Sequence, residues 1–287
     1  MVFSPLSLIL TNYHLPLSEA LGQGMSSMKI EELIVEISGG TIYVKKWTPE
    51  TVSTALPLIL LHDSLGSVDL WRDFPSVLAE NLSRCVIAYD RLGFGKSDAR
   101  DELPSMEFIE EEAIKYFPAI KKCLSIQHYA LFGHSVGGGM AINIASRDPD
   151  CEAVVTVSAQ AFVEDLTVKG IKAAKQMFEQ PGRIARLGKW HGSKAKWVLH
   201  AWTNVWLSAE FENWCLLPSI RGVRCPVLII HGENDEYGSV AFPKFISENT
   251  GGQTEMLIFK NCGHIPHKEK PQEVIGAVKK FFGEVNA

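Results

Sequence analysis

Three residues far apart in the chain, Ser135, Asp235 and His264, are of the types that together perform nucleophilic catalysis at a carbonyl group. A serine hydroxyl is a weak nucleophile at neutral pH, so it needs a histidine to take its proton and an acid to orient that histidine. Each of the three follows an apolar stretch typical of a buried strand. We therefore predict Ser135 as the nucleophile, His264 as its base and Asp235 as the orienting acid.

Ser135 lies in a G-x-S-x-G motif, residues 133–137, between an apolar stretch and a run of small residues. The motif is typical of a sharp strand-to-helix turn, in which the serine adopts a strained conformation that projects its hydroxyl. The N–H of Val136, at the start of the predicted helix, would face a developing oxyanion. By itself the motif also fits a glycine-rich turn that happens to hold a serine.

A second oxyanion donor is expected after the apolar segment 56–62, where small residues follow His62. We predict that the backbone N–H of Ser64 is this donor, because bulky side chains would block such a site. Asp63 is unusual here, since a carboxylate beside the oxyanion hole weakens it unless it turns away or binds a cation. The predicted substrate-binding residues are His62, Leu65, His134 and Trp206.

Both partners of Ser135 have competitors nearby. We prefer His264 to His267 because Gly263 lets the chain turn the ring inward, whereas His267 follows Pro266 and leads into a charged segment. The two histidines form an H-x-x-H pair, but Pro266 breaks the helix that a metal pair would need, so no metal is predicted. The competitors of Asp235 are two glutamates in the same loop, Glu233 and Glu236.

The elements around these residues alternate between strand and helix. Two segments with partial alternation, 30–37 and 41–47, predict an antiparallel hairpin. Later strands alternate with helices of ten or more residues, which implies a mostly parallel sheet covered by helices on both faces. Ligands of such sheets bind at the carboxyl ends of the strands, where the catalytic candidates lie. The later strands are predicted at 56–62, 85–89, 129–132, 151–158, 225–231 and 254–259.

The alternation stops between residues 159 and 218, a helical region that holds five of the seven tryptophans. We predict that 159–218 forms a cap over a core made of 28–158 and 219–287, and that 1–27 is a loosely ordered leader. The basic residues of the cap could attract an anionic substrate or an acidic carrier protein, but a solvated helix face is the preferred interpretation. They are Lys169, Lys172, Lys175, Arg183, Arg186, Lys189, Lys194 and Lys196.

Composition limits the partners and the compartment. A net charge of −5 argues against nucleic acid as the main partner, because phosphate binding needs a strongly basic face. The six cysteines form no C-x-x-C pair and are expected to be reduced, which indicates a cytoplasmic protein. Residues 1–27 lack Lys and Arg and have only a short apolar run, so we expect neither secretion nor a membrane partner. A homodimer stays open, as does a translational start at Met28.

The joint pattern resembles the α/β-hydrolase superfamily from about residue 28 to the C terminus. The matching segments are 62–67, 90–97, 133–138, Asp235 and 263–264. Within the superfamily the chain looks like the capped bacterial esterases and enol-lactonases. The resemblance implies an α/β fold with an eight-stranded, mostly parallel sheet and a helical cap, and a serine hydrolase that needs no cofactor and acts on a small ester or lactone.

The resemblance also has departures and leaves alternatives. Many relatives carry glycine at position 63 and proline at position 65, where this chain has Asp63 and Leu65. Relatives that cleave carbon–carbon bonds of ring-fission products commonly carry tryptophan after the catalytic histidine, where this chain has Ile265. A carbon–carbon hydrolase is therefore the alternative enzyme. A ligand sensor without turnover is the other alternative, although such a role has no need of Ser135, Asp235 and His264 together.

Overall fold

Eight strands form one sheet in the order β1-β2-β4-β3-β5-β6-β7-β8. The computed structural model describes residues 27–54 and 56–285, so the predicted leader lies almost wholly outside the described residues. β1 pairs antiparallel with β2 and β2 antiparallel with β4, whereas every other neighbouring pair is parallel. This confirms the predicted sheet. The strands are β1 Met28–Ile37, β2 Gly40–Pro49, β3 Leu58–Leu61, β4 Val86–Tyr89, β5 Tyr129–His134, β6 Cys151–Val157, β7 Val227–Gly232 and β8 Thr254–Phe259.

Helices connect the strands. The sequence pattern over 106–123 predicts a helix, and in the structure a π-helical turn, Glu112–Tyr116, interrupts it. Pro118 explains the interruption, because it has no N–H for the carbonyl four residues earlier and its ring crowds that carbonyl. The α-helices are α1 Phe74–Leu82, α2 Phe108–Glu111, α3 Phe117–Cys123, α4 Val136–Ala145, α5 Asp165–Phe178, α6 Arg183–His191, α7 Ala195–Trp206, α8 Leu217–Ile220, α9 Ala241–Asn249, α10 Pro266–Glu269 and α11 Pro271–Val285.

The sheet has a hydrophobic core on each face. Alternate residues of a strand point to opposite faces, so Leu58 and Leu60 of β3 pack in the core that contains α1 and α11. Ile59 and Leu61 pack in the core that contains α4. Both sides of β3 are thus excluded from water, which is why its sequence is apolar without alternation.

The region 159–218, which we call the helical insertion, lies between β6 and β7 and contains α5, α6, α7 and the start of α8. His191 at the end of α6 joins it to the sheet side: Nε2–H donates to Leu65 O at 3.0 Å, and Nδ1 accepts from Gly95 N–H at 2.9 Å. Lys194 adds a hydrogen bond to Gly95 O at 2.9 Å. These contacts attach the insertion to the loops that follow β3 and β4. Across residues 27–54 and 56–285, every helix is too short or too polar to cross a lipid bilayer.

Candidate active site

Ser135 occupies the turn between β5 and α4. Its backbone has φ 57° and ψ −124°, a conformation that L-residues rarely adopt and that stores strain. Its N–H donates to Val157 O at 2.9 Å, which fixes the turn against β6. A Cβ at Gly133 would lie 2.2 Å from Gly137 O, so this position admits only glycine. The turn therefore has the strained geometry that the G-x-S-x-G spacing predicts.

The structure brings the three candidate catalytic residues together from three loops. His264 Nε2 lies 3.0 Å from Ser135 Oγ, and His264 Nδ1 lies 2.8 Å from Asp235 Oδ2. The Asp235 carboxylate also accepts the N–H of Tyr237 at 2.8 Å, which holds it in place. All three side chains are buried. This arrangement can move the proton of the Ser135 hydroxyl onto an imidazole that a carboxylate orients.

Glu269 positions the loop that carries His264. Its carboxylate accepts the N–H of Gly263 at 2.8 Å and the N–H of Ile265 at 3.0 Å, the residues on either side of His264. His267 points elsewhere: the start of α10 at Pro266 turns it inward, where it is buried among aromatic rings. His267 is therefore not exposed toward the charged segment as the sequence suggested, and it does not contact Ser135.

The charges of the site favour a protonated imidazole. Burial lowers the pKa of His264, but the charge and hydrogen bond of Asp235 outweigh burial and raise this pKa to about 9. Burial raises the pKa of Asp235, and the His264 charge and hydrogen bond reverse that effect and lower it. Burial raises the pKa of the neighbouring Glu236 carboxyl to about 7. The Glu236 carboxylate in turn helps to raise the pKa of His264.

A small, partly open cavity lies beside Ser135. Trp202 of the helical insertion and Tyr237 supply aromatic walls, and their ring centroids lie 5.7 Å apart. Gln160 supplies an uncharged polar group, with Oε1 3.2 Å from Ser135 Oγ. The lining residues are Asp63, Ser64, Leu65, Ser135, Gln160, Trp202, Tyr237 and His264. The Ser135 hydroxyl thus faces a small space that is lined by both apolar and polar groups.

Two backbone N–H groups are candidates for an oxyanion hole. Within the described residues, neither Ser64 N–H nor Val136 N–H has a hydrogen-bond partner. The carboxylate of Asp63 turns away from this site: Oδ1 accepts Leu65 N–H at 2.9 Å, and Oδ2 lies 3.1 Å from His134 Nδ1. Burial raises the pKa of Asp63, but its hydrogen bond and attraction to His134 dominate, and the pKa is lowered. The oxyanion loop therefore tolerates Asp63 because His134 binds its carboxylate.

Of the four predicted substrate-binding side chains, only Leu65 is among the residues that line the cavity beside Ser135. Both ring nitrogens of His62 form hydrogen bonds with the backbone, one with Asp63 O and the other with Arg91 N–H. In His134, Nε2 contacts His264 O at 2.9 Å and Nδ1 contacts the Asp63 carboxylate. Trp206 packs against Phe211 and Trp214 inside the helical insertion. In this structure these three side chains therefore contact neighbouring protein groups rather than the cavity beside Ser135.

Several site residues were missed by the sequence analysis. Gln160 follows the end of β6, so its place at the carboxyl edge of the sheet was a usable signal. Trp202 lies one helical turn before Trp206 on α7. Both tryptophans lie on the same side of that helix, so the sequence does not show which of them faces the cavity. Tyr237 and Glu269 carry no motif that would have identified them. None of the basic residues of the helical insertion lines the cavity.

Comparison with known proteins identifies the family of the chain. The family model for the α/β hydrolase fold matches residues 57–187. The chain is 36% identical over 271 residues to a proline iminopeptidase of Lactobacillus crispatus (strain ST1), covering 81% of this chain and 92% of that protein. It is 22% identical over 253 residues to 2-hydroxymuconate semialdehyde hydrolase of Pseudomonas sp. (strain CF600), covering 80% of this chain and 88% of that protein.

Among solved structures, the proline iminopeptidase of Mycobacterium smegmatis superposes with a TM-score of 0.69 at 21% identity, covering 89% of this chain and 98% of that one. This likeness supports the fold alone, whereas the 36% identity to the Lactobacillus crispatus protein extends over most of both sequences. The chain therefore belongs to the α/β-hydrolase family and is a hydrolase.

Proposed function

We propose that this hydrolase cleaves small carboxylic esters or lactones through an acyl-enzyme on Ser135. The observation that carries the proposal is the line of contacts from Asp235 through His264 to Ser135 Oγ, which ends in the cavity. In the first step Ser135 Oγ attacks the substrate carbonyl carbon while His264 Nε2 takes the hydroxyl proton. Asp235 stabilises the imidazolium that forms.

The attack places negative charge on the former carbonyl oxygen, and the N–H groups of Ser64 and Val136 bind that charge. When the tetrahedral intermediate collapses, the carbon–oxygen bond to the alcohol breaks and His264 gives its proton to the leaving oxygen. A water molecule then gives a proton to His264 and attacks the acyl-enzyme. The acid leaves, and the proton returns to Ser135 Oγ.

The lining of the cavity supports an uncharged acyl group of modest size. Trp202, Tyr237 and Leu65 offer apolar surface, and Gln160 offers one neutral polar contact. Asp63 is the only carboxylate among the lining residues, and both of its oxygens already face donors of the protein. A substrate with a free ammonium group would find no unpaired carboxylate in this lining, so a neutral ester or lactone fits better.

A second candidate is removal of an N-terminal proline residue, which the 36% identity to a proline iminopeptidase supports. The same triad cleaves an amide by the same steps, with an amine in place of the alcohol as leaving group. The two candidates differ in the charge that the cavity must accept. A direct comparison of substrates therefore separates them.

Reaction with a fluorophosphonate probe tests the catalytic role of Ser135. We expect stoichiometric labelling of the wild-type protein and none of Ser135→Ala, with mass spectrometry placing the label on the peptide that contains Ser135. Melting temperatures of both proteins serve as the folding control. A folded wild-type protein that stays unlabelled, or a label that persists in Ser135→Ala, would contradict the proposal and favour a ligand sensor.

A substrate panel tests the chemical class. We expect kcat/KM to be highest for p-nitrophenyl acetate and butyrate and lower for the octanoate, because the cavity beside Ser135 is small. Small γ-lactones should be hydrolysed, whereas proline p-nitroanilide should react slowly. A clear preference for proline p-nitroanilide would replace the ester proposal with the iminopeptidase. Turnover of 2-hydroxymuconate semialdehyde alone would favour the carbon–carbon alternative.

A further inference from the structure

Arg91, in the loop after β4, is a buried cation with few partners. Its side chain is 5% exposed, and within the described residues it forms no ion pair with a carboxylate. One face of the guanidinium lies 4.2 Å from the centroid of the Phe94 ring. Among residues 27–54 and 56–285, Nε–H has no hydrogen-bond partner. Burying a charged side chain costs solvation free energy unless hydrogen bonds or an opposite charge offset it. The contacts of Arg91 therefore indicate a specific role.

The main polar contact of Arg91 is with the backbone of the oxyanion loop. Arg91 Nη2–H donates to Asp63 O at 2.8 Å. His62 Nδ1–H donates to the same oxygen, also at 2.8 Å. The other nitrogen of His62 accepts the backbone N–H of Arg91 at 3.2 Å. Burial and the charge of Arg91 hold the pKa of His62 well below its usual value, so the ring is neutral and can donate at Nδ1 while accepting at Nε2.

The Asp63 carbonyl belongs to the same peptide group as the Ser64 N–H. This group is planar and trans, so its N–H points away from its C=O. The N–H of Gly66 also donates to the Asp63 carbonyl, at 3.2 Å. With Arg91, His62 and Gly66 holding the carbonyl, the N–H of Ser64 is directed to the opposite side, where Ser64 lines the cavity with Ser135. If the peptide flipped, the Asp63 oxygen would face the site of the oxyanion and repel it. The flip would also take from Arg91 its hydrogen-bond acceptor.

We propose that Arg91 is a positioning residue, which holds the Asp63–Ser64 peptide so that the Ser64 N–H faces the carbonyl oxygen of the substrate. The proposal rests on the proposed function, because it assigns the Ser64 N–H as an oxyanion donor. Arg91 itself does not line the cavity and does not touch the substrate. Its loss should therefore weaken binding of the transition state without weakening binding of the ester.

Arg91→Met tests this role because methionine keeps the apolar stem and removes the donors. We expect kcat for p-nitrophenyl butyrate to fall about 10²–10³-fold, the usual effect of losing one oxyanion donor, with KM nearly unchanged. Arg91→Lys keeps one charged donor and should recover part of kcat. An increase in KM at unchanged kcat would instead indicate a contact with substrate and would overturn the proposal.

Arg84→Met is the matched control. Arg84 is also buried, stacks 3.9 Å from the centroid of the Phe282 ring, and leaves Nε and Nη1 without partners. Its replacement removes a comparably buried guanidinium away from the oxyanion loop. We expect Arg84→Met to alter the melting temperature and to leave kcat near the wild-type value. An equal fall of kcat in the two variants would mean that loss of any buried arginine explains the effect.

Crystal structures of Arg91→Met and Arg91→Lys give a readout that does not depend on turnover. We expect the Asp63–Ser64 peptide to be flipped or in two orientations in Arg91→Met, and native in Arg91→Lys. A native peptide in Arg91→Met together with native kcat overturns the proposal while the proposed hydrolysis stands. A flipped peptide in a protein whose wild type hydrolyses no ester would support the positioning role and reject the proposed function.

Discussion

Gly137→Ala tests how closely α4 must approach β3 for the Ser135 turn to form. A Cβ at position 137 would lie 2.3 Å from Leu61 O and 2.8 Å from His62 O, and both are backbone atoms. Leu61 is hydrogen-bonded within the sheet and cannot retreat easily. The start of α4 must then shift by roughly 1 Å, and overpacking of this kind costs about 1–3 kcal/mol.

The matched control is Gly139→Ala on the same helix. Its Cβ would meet Ile109 Cγ2 at 3.7 Å and Gln160 O at 3.8 Å, which are ordinary contacts. Alanine is the better helix former, so this variant should be stabilised by roughly 0.5–1 kcal/mol. Because Gly137 and Gly139 lie in the same helix, this gain is common to both, and the two variants should differ by the overpacking cost, about 1–3 kcal/mol in the free energy of unfolding.

Urea unfolding curves measure the difference in stability, and the hydrolysis of p-nitrophenyl butyrate measures the displacement of Ser135. A misplacement of about 1 Å lowers the rate by about 10²-fold, so kcat of Gly137→Ala should fall by that order while Gly139→Ala stays near the wild type. The reasoning is refuted if Gly137→Ala unfolds at the same urea concentration as the wild type and keeps its kcat. Equal destabilisation of both variants would refute it as well.

Three further outcomes follow from the charges around the site. The kcat/KM for esters should rise about tenfold per pH unit until about pH 9. Only unprotonated His264 can take the Ser135 proton, and the pKa of His264 is raised to about 9. A kcat/KM that is already constant above pH 7 would contradict this. Glu236→Gln should shift this rise in kcat/KM to lower pH, since the Glu236 carboxylate raises the pKa of His264. Glu233→Gln, at an exposed position of the same loop, is the control. Identical pH profiles for Glu236→Gln and the wild type would disprove the coupling between Glu236 and His264. Asp63→Ala should lower the free energy of unfolding by about 1–3 kcal/mol, because His134 and the Leu65 N–H lose a buried acceptor. Asp63→Asn keeps an acceptor oxygen, so its free energy of unfolding should fall less. Equal decreases for the two variants in urea unfolding would count against the role of that acceptor.

The central strands β3 to β7 could be predicted from the sequence because burial on both faces favours uninterrupted apolar residues. β8 has the predicted bounds, and β3, β4, β6 and β7 differ from them by one or two residues at their ends. The π-helical turn at Glu112–Tyr116 was not predicted, since the periodicity of the surrounding residues is that of an ordinary helix. Pro118 was the available signal.

The geometry around Ser135 depended on packing that no local pattern encodes. His264 and His267 are three residues apart, and only the turn into α10 decides which ring reaches Ser135. Trp202 and Trp206 lie on one side of α7, yet only Trp202 reaches the cavity. The sequence showed polar side chains at strand ends, but it could not show that the protein itself already occupies the nitrogens of His62 and His134.

The sequence by itself determined the sheet, the order of serine, aspartate and histidine along the chain, and the tight turn that carries Ser135, because these follow from local spacing and from the pattern of apolar residues. The tertiary structure alone decided that Arg91 and His62 hold the Asp63 carbonyl and that His134 binds the Asp63 carboxylate. Those contacts join residues up to 71 positions apart in the chain, as Asp63 and His134 are. Their partners are chosen by distance in the folded protein rather than by spacing along the chain.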